Sequence, residues 1–413
     1  MNKIYKTSKR VLTVCQRNCN TWCRPDYGPL EVQRCILLNG TGVIGTKMLG
    51  GQIAACTIMY QAGSRYEMDD YLGASHFLRA ASTTSSCAFS GFTKMRYMAQ
   101  KGAFITCTSD RQSIAYTLRC PVTIFSEMKC FLLDTVSRCC FRAWEIDDLK
   151  PMIKDDLHRI HPLQRVIDLA QKACWTGPLG NSMFCEESRI AGMTGKILNC
   201  YTDWNYKSDH CTVASTGVPF EETLNLAEIR PPQRACMGSE PRAGFEYYDL
   251  GPGSDTWICV VVPGCGTNDI ADLIRHSIVA HACGTDNMQE GSDSMDCWPE
   301  LPLGLLSTGD LYTKYKAFNI SYYETGVFAC SIVDSNSPTL KNKTFYFSEV
   351  SLALHDDDCL KVTEGMALQL ANSVQIDNAK TAMKMIDCIQ NQEIITTAKI
   401  LGSKSRFMLN LIG

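Results

Sequence analysis

In "ASHFLRAAS", residues 74–82, His76 is followed three and four residues later by Arg79 and Ala80. With Glu and His in those two places the stretch would be a metal-dependent hydrolase site. Two imidazoles one helical turn apart would bind zinc, and the carboxylate between them would take a proton from metal-bound water. A carboxylate from a distant helix would then complete three protein ligands. Here the base position is a guanidinium, which accepts no proton near neutral pH and repels a dication. The second ligand position, Ala80, carries only a methyl group. The distant acid is Asp155 or Asp156 in "MIKDDLHRI", each one carbon shorter than Glu. One imidazole and one aspartate do not hold a zinc ion. The reading is therefore no metal, no cofactor and no catalytic residue among His76, Arg79, Ala80, Asp155 and Asp156.

Other chemistries find less support. "GTGVIG", Gly40 to Gly45, has the G-x-G-x-x-G spacing of a dinucleotide site, and Glu67 stands about where a ribose-binding acid would. That fingerprint has to open a helix whose N-terminus faces the pyrophosphate. The following "TKMLGGQIAACTIMY" is poor helix material, and a hairpin turning on Asn39-Gly40 explains the glycines more simply. No G-x-S-x-G elbow or phosphate-binding G-x-x-x-x-G-K-[ST] loop is present.

The 413 residues are enough for two domains, and 45% hydrophobic with 20% charged residues suits a globular chain. A net charge of −3 and a pI near 6.2 give no electrostatic reason to expect nucleic acid. The most apolar stretch, "WICVVVPGC", is too short to span a bilayer. The 23 cysteines lie mostly inside apolar runs, with no CxxC and no zinc-finger spacing, so they read as reduced core thiols. Before Asp26 the chain carries Lys3, Lys6, Lys9, Arg10, Arg17 and Arg24 and no acid, the pattern of a mitochondrial transit peptide. Arg17 and Arg24 are its candidate cleavage-recognition residues. Cys15, Cys19 and Cys23 would share a helical stripe within this segment. The sequons at Asn39, Asn319 and Asn342 read as chance matches, because no secretory signal precedes them.

The elements that must position His76 follow from periodicity. A strand–turn–strand pattern covers "VQRCILLNGTGVIGTKMLG", a strand covers "AACTIMY", and a helix runs from about Leu72 to Ala81. A strand pair in "GAFITCTSDRQSIAYTLRCP" turns at Thr108–Gln112. Helices then cover "IFSEMKCFLLDTVSRC", "WEIDDLKPMIKDDLHRI", "QRVIDLAQKACW" and "GKILNCYTDW", before a strand in "HCTVASTGV". The second half repeats the order loosely, with a strand in "TWICVVVPG", a helix in "DIADLIRHSIVAHAC" and a hairpin in "FNISYYETGVFACSIV". Helical runs follow in "FSEVSLALHDDDCLKVTEGMALQLANSV" and "KTAMKMIDCIQNQEIITTAKILG". Grouped strands with hairpins, then helices in runs, predict an α+β class with mainly antiparallel sheets. The expected organisation is a targeting segment at 1–25, a domain at 26–220, a Pro-containing linker at 221–244 and a second, homologous domain at 245–413.

The surroundings of His76 carry a resemblance. "AGSRYEMDDYLGASHFLR" resembles the segment bearing the inverted zinc motif in the pitrilysin family, in its mitochondrial processing peptidase branch. "WEIDDLKPMIKDDL" is similar to the helix that bears the distant acid, and "PLGNSMFCEESRI" to the loop after the next helix. The resemblance implies two α+β domains clasping a cavity, of metalloprotease type. It further implies a non-peptidase core subunit of the respiratory-chain ubiquinol–cytochrome c reductase complex, peripheral on the matrix side of the inner mitochondrial membrane. A core protein 1-like subunit would be its partner, and it would have no role with nucleic acid. Two alternatives stay open: a non-catalytic alpha subunit of the processing peptidase, and an active zinc metallopeptidase.

Overall fold

Strand β1 (Val32–Ile36) turns into β2 (Gly42–Thr46) at Asn39-Gly40, where Gly40 takes φ 86° and Asn39 Oδ1 accepts the Thr41 N–H at 3.0 Å. The computed structural model describes residues 32–46, 52–226, 240–242, 244–249, 255–284, 303, 314–334, 359–372, 374, 384–386, 388–403 and 407–412. The expected targeting segment with its three cysteines, Asn342, residues 227–239 of the expected linker and the helical pattern over 347–358 lie outside these residues. Gly42 and Gly45 of the G-x-G-x-x-G stretch sit within β2, paired to Ile36 and Gln33. They open no helix, so the dinucleotide reading is excluded on its own structural condition.

The first half continues with β3 (Ile53–Tyr60), α1 (Ala74–Ala81), α2 (Gly91–Lys101), β4 (Phe104–Ser109) and β5 (Ile114–Pro121). Then come α3 (Phe125–Ser137), α4 (Ala143–Arg159), α5 (Pro162–Cys174), the short β6 (Trp175–Thr176), α6 (Glu187–Ile190), α7 (Gly195–Asn205), β7 (Cys211–Thr216) and α8 (Phe220–Leu226). Helix α2 lacks a strong apolar stripe; its signal is its caps, with the Ser90 hydroxyl accepting the Thr93 N–H and Gly102 closing at φ 69°. Residues 221–226, expected as linker, belong to α8, because Leu226 has an apolar place in the first core.

The second half contains β8 (Glu240–Pro241), β9 (Phe245–Asp249), β10 (Thr256–Pro263), α9 (Ile270–Cys283), β11 (Lys314–Ser321) and β12 (Gly326–Asp334). It ends with α10 (Cys359–Ala371), α11 (Asn391–Ser403) and β13 (Phe407–Ile412). The helical run expected over "KTAMKMIDCIQNQEIITTAKILG" is interrupted at 388–390, where the Gln390 carbonyl accepts from Glu393 and Ile394 to begin α11 afresh.

Two large sheets result among the described residues, ordered β1-β2-β7-β3-β5-β4 and β11-β12-β10-β13-β9, beside the two-stranded pair β6-β8. Each contains one parallel contact, β2 with β7 and β9 with β13, and all other pairs are antiparallel. The order β2-β7-β3-β5-β4 therefore repeats as β9-β13-β10-β12-β11, the topological form of the duplication expected from the sequence. The helices do not respect the division. Helix α5 of the first half lies on β10, and α10 of the second half lies on β3 and β7. Val166, Ala170 and Cys174 meet Cys259, Val261 and Val327, while Val362, Met366 and Ala367 meet Ile44, Met59 and Ala214. Both faces of β3 are thus covered, which is why nearly its whole length is buried. Buried thiols such as Cys56 fill this interior, and burial pushes the Cys56 thiol up to about 12, as core thiols require.

Polar contacts tie the two halves together. Thr216 and Thr363 hydroxyls meet at 2.7 Å, Thr117 donates to Glu364 at 2.9 Å, and Arg65 pairs with Glu324 at 2.8 Å. The deepest contact is within the first half, where Arg111 in the β4–β5 turn pairs with Asp168 of α5 at 2.7 Å, both side chains buried. Removing one member leaves a buried uncompensated charge, so Arg111→Met is expected to cost about 3–5 kcal/mol in urea unfolding of the full chain. Adding Asp168→Asn should recover part of that loss. A double variant whose loss equals the sum of the Arg111→Met and Asp168→Asn losses would show the two charges to be uncoupled.

Candidate functional site

Glu67 starts the site. It reaches the N-terminus of α1, where Oε2 accepts the Gly73 N–H at 2.8 Å and Oε1 accepts the Ser75 N–H at 2.7 Å. The helix has no acid in its own first turn, so this carboxyl supplies the acceptors its free N–H groups need. Burial pushes Glu67 up to about 7, against the Ser75 and Gly73 hydrogen bonds and the Arg189 charge that pull it down. The expected ribose-binding acid is therefore a helix-capping residue. Gly73 takes φ 92° and lies so close to Cys185 that a Cβ would stand 2.5 Å from its sulfur. This sets the α1 N-terminus against the 181–185 loop.

The capped helix carries His76, fully buried, and Arg79 toward α4. Of the two candidate acids on α4, the structure selects Asp156. Its Oδ2 lies 2.8 Å from His76 Nε2 and 2.7 Å from Arg79 Nη2. Asp155 pairs instead with Arg159 one turn on, at 3.0 Å. Ala80 packs against the first core. Sequence reasoning about donors missed the fourth partner, the Cys185 backbone N–H, which donates to His76 Nδ1 at 3.1 Å. No side-chain pattern signals a main-chain donor, although the loop that carries it belongs to the stretch "PLGNSMFCEESRI" noted above. Phe184 of the same loop stands edge-on to the imidazole at 5.8 Å, with the Arg79 guanidinium 5.9 Å from its ring centre.

These contacts fix the protonation of the ring. A backbone N–H can only donate, so Nδ1 accepts, and in the neutral imidazole the proton sits on Nε2 and points at Asp156. Both ring nitrogens are then occupied. The residues present do not fit a zinc ion: the one imidazole offers no free lone pair, Asp156 already answers a guanidinium, and Ala80 offers no donor. Among the described residues, the grouping of three donor side chains within 4.8 Å of one another is elsewhere, at Cys265, Asp272 and His276, where Arg275 holds Asp272 at 3.4 Å. What the His76 arrangement does is join α1, α4 and the 181–185 loop.

Burial, followed by the Arg79 charge, lowers the His76 pKa, with Asp156 pulling the other way. Burial also opposes ionisation of Asp156, but the His76 hydrogen bond and the Arg79 charge outweigh it and hold that carboxyl below its ordinary value. A histidine lowered in the fold refuses a proton that the unfolded chain accepts. Its share of stability is therefore complete above the ordinary value of about 6.5 and lost as pH falls below it. In a ring-nitrogen NMR titration of the full chain, His76 should titrate below the ordinary range. Arg79→Met should move it up and Asp156→Asn should move it further down. Opposite shifts would refute this account of the ring.

Over residues 45–187 the chain matches the profile of the insulinase family, peptidase family M16. Human cytochrome b-c1 complex subunit 2, mitochondrial, is 24% identical over 91% of this chain and 89% of its own. The rat protein of the same name is 29% identical over 73% of this chain and 67% of its own. A probable mitochondrial-processing peptidase subunit alpha-2 of Arabidopsis thaliana is 24% identical over 91% of this chain and 74% of its own. Among solved structures, a protease from Helicobacter pylori shares the fold at TM-score 0.76, covering 94% of this chain and 100% of that one at 10% identity. The matched span holds the capping Glu67, the His76 helix, Asp156 and the Cys185 loop. Residues 45–187 thus resemble an insulinase-family domain, in an α+β chain whose homologues include mitochondrial cytochrome b-c1 complex subunit 2 and processing-peptidase alpha chains.

Proposed function

We propose that this chain is a core protein 2-type subunit of ubiquinol–cytochrome c reductase, supporting assembly of that complex without peptidase activity of its own. The observation that carries the reading is the state of His76. Its two ring nitrogens are bonded to the Cys185 N–H and Asp156, and Arg79 stands where a general base would be. Alignment to the human cytochrome b-c1 subunit over 91% of this chain supports the core-subunit branch. Mitochondrial relatives support a mitochondrial location. No helix among the described residues is long and apolar enough to cross a membrane, which is compatible with a peripheral place on the matrix side of the inner membrane. A core protein 1-like chain is the proposed partner. The second reading, a non-catalytic alpha subunit of the processing peptidase, is favoured by alignments of similar extent to plant alpha chains.

Two experiments bear on this. Metal analysis of the purified full chain should find no stoichiometric zinc, whereas Arg79→Glu combined with Ala80→His should gain zinc affinity by restoring both missing groups and releasing Asp156. Stoichiometric zinc in the wild type that disappears in His76→Ala would sink the non-peptidase reading. The native chain isolated from detergent-solubilised mitochondria should travel with cytochromes b and c1. Travel with a processing peptidase and no cytochrome would transfer the assignment to the second reading.

A further inference from the structure

Where the segment leaving α1 meets the one entering α4, two thiols lie almost at bonding distance. Cys87 Sγ and Cys140 Sγ are 3.2 Å apart, and the residues are 53 positions apart in the chain. The backbones beneath them are already zipped. Ser86 and Cys139 form an isolated antiparallel bridge, the Cys87 N–H donates to the Arg138 carbonyl at 2.9 Å, and the Ala88 N–H donates to Asp134 at 3.2 Å. In that register Cys87 lies opposite Arg138, so Cys140, two residues on, projects from the same face. Glu145 of α4 holds the same segment through both the backbone N–H and the hydroxyl of Ser85.

The neighbouring thiols are differently placed. Cys139 Sγ turns back to the Thr135 carbonyl at 3.0 Å, and exposed Cys130 bonds the Glu127 carbonyl at 2.9 Å. Phe141, immediately after Cys140, takes φ 35°, a strained value for a residue with a side chain, and its carbonyl leaves no room for a Cβ at Gly195, which would stand 2.1 Å away. The connection that presents Cys140 is therefore held by packing rather than free to wander.

We infer that Cys87 and Cys140 form a reversible disulfide, with a small-molecule disulfide such as oxidised glutathione as the oxidant. The 3.2 Å gap between the sulfurs has to close to a bond of about 2 Å. Cys87, the exposed member, reacts first. Its thiolate attacks one sulfur of the oxidant and expels one thiolate, leaving a mixed disulfide. The Cys140 thiolate then attacks the Cys87 sulfur and expels the second. The protein gives up two electrons and two protons, and the oxidant becomes two thiols. The bond ties the two segments that flank α1 and α4, whose side chains make the His76–Asp156–Arg79 contact. A redox change at the surface would thereby stiffen that contact.

The test uses the native full chain equilibrated in mixtures of oxidised and reduced glutathione, blocked with a maleimide, digested with trypsin and sequenced by mass spectrometry. Peptide 80–94 should appear joined to peptide 139–142 with fragmentation placing the bond on Cys140, and excess reduced glutathione should release it. The oxidised chain should unfold at a higher temperature than the reduced chain, a difference absent in Cys87→Ser and in Cys140→Ser and retained in Cys130→Ser. Separately blocked Cys87 and Cys140 at every ratio, or a bond from Cys87 to Cys139, would overturn the inference.

Discussion

Arg111 and Asp168 are both taken out of water, a cost that further hydrogen bonds to the pair must offset. Arg111 also donates to the Asp168 and Leu179 carbonyls, and Asp168 accepts from the Ser182 hydroxyl and from the Met183 N–H at 3.0 Å. One ion pair therefore fixes three things: the β4–β5 turn, helix α5 and the loop that begins after Leu179. From that loop the next donor is the Cys185 N–H, which sets the tautomer of His76. The state of the candidate site is thus decided a few bonds away from it, by a charge pair that never touches it.

Helix α5, pinned near its middle by Arg111, spends its apolar face on the sheet of the other half, and α10 returns the exchange. Neither half can then close its core alone, because one covering layer of each sheet comes from the other. The duplicated strand order makes the exchange symmetrical: β3 and β7 receive α10 where β10 and β13 receive α5. Burial of this kind couples the halves more firmly than the few ion pairs across them, since half-exposed pairs such as Arg65 with Glu324 contribute little.

At the site itself the residue types at two positions, Arg79 and Ala80, decide which side-chain donors face Asp156 and His76. A glutamate at position 79 would face the Asp156 carboxylate as a like charge, whereas Arg79 pairs with it at 2.7 Å. The resulting His76–Asp156–Arg79 contact retains the helix pairing that a metal would otherwise supply, and Glu67 continues to satisfy the helix N-terminus.

Much of this was legible in the residues. Period-two and period-3.6 patterns locate most of the strands and the long helices, though not α2, β9 or β13, Asn39-Gly40 specifies the first hairpin, and Arg79 with Ala80 offers neither a general base nor a second imidazole. Those are local properties, set by backbone sterics and by the atoms each side chain owns. Other features needed the fold. The choice of Asp156 over its neighbour depends on which face of α4 meets α1, and the role of Glu67 depends on where a helix N-terminus lands. The exchange of α5 and α10 escapes periodicity, because an apolar stripe states that a helix is buried and not against which sheet. The Cys185 N–H carries no sequence signal, since every residue but proline has one. The sequence by itself determined the elements and the chemistry missing at His76. Only the tertiary structure decided which groups occupy its two nitrogens, because contacts between distant segments are set by packing and not by any local rule.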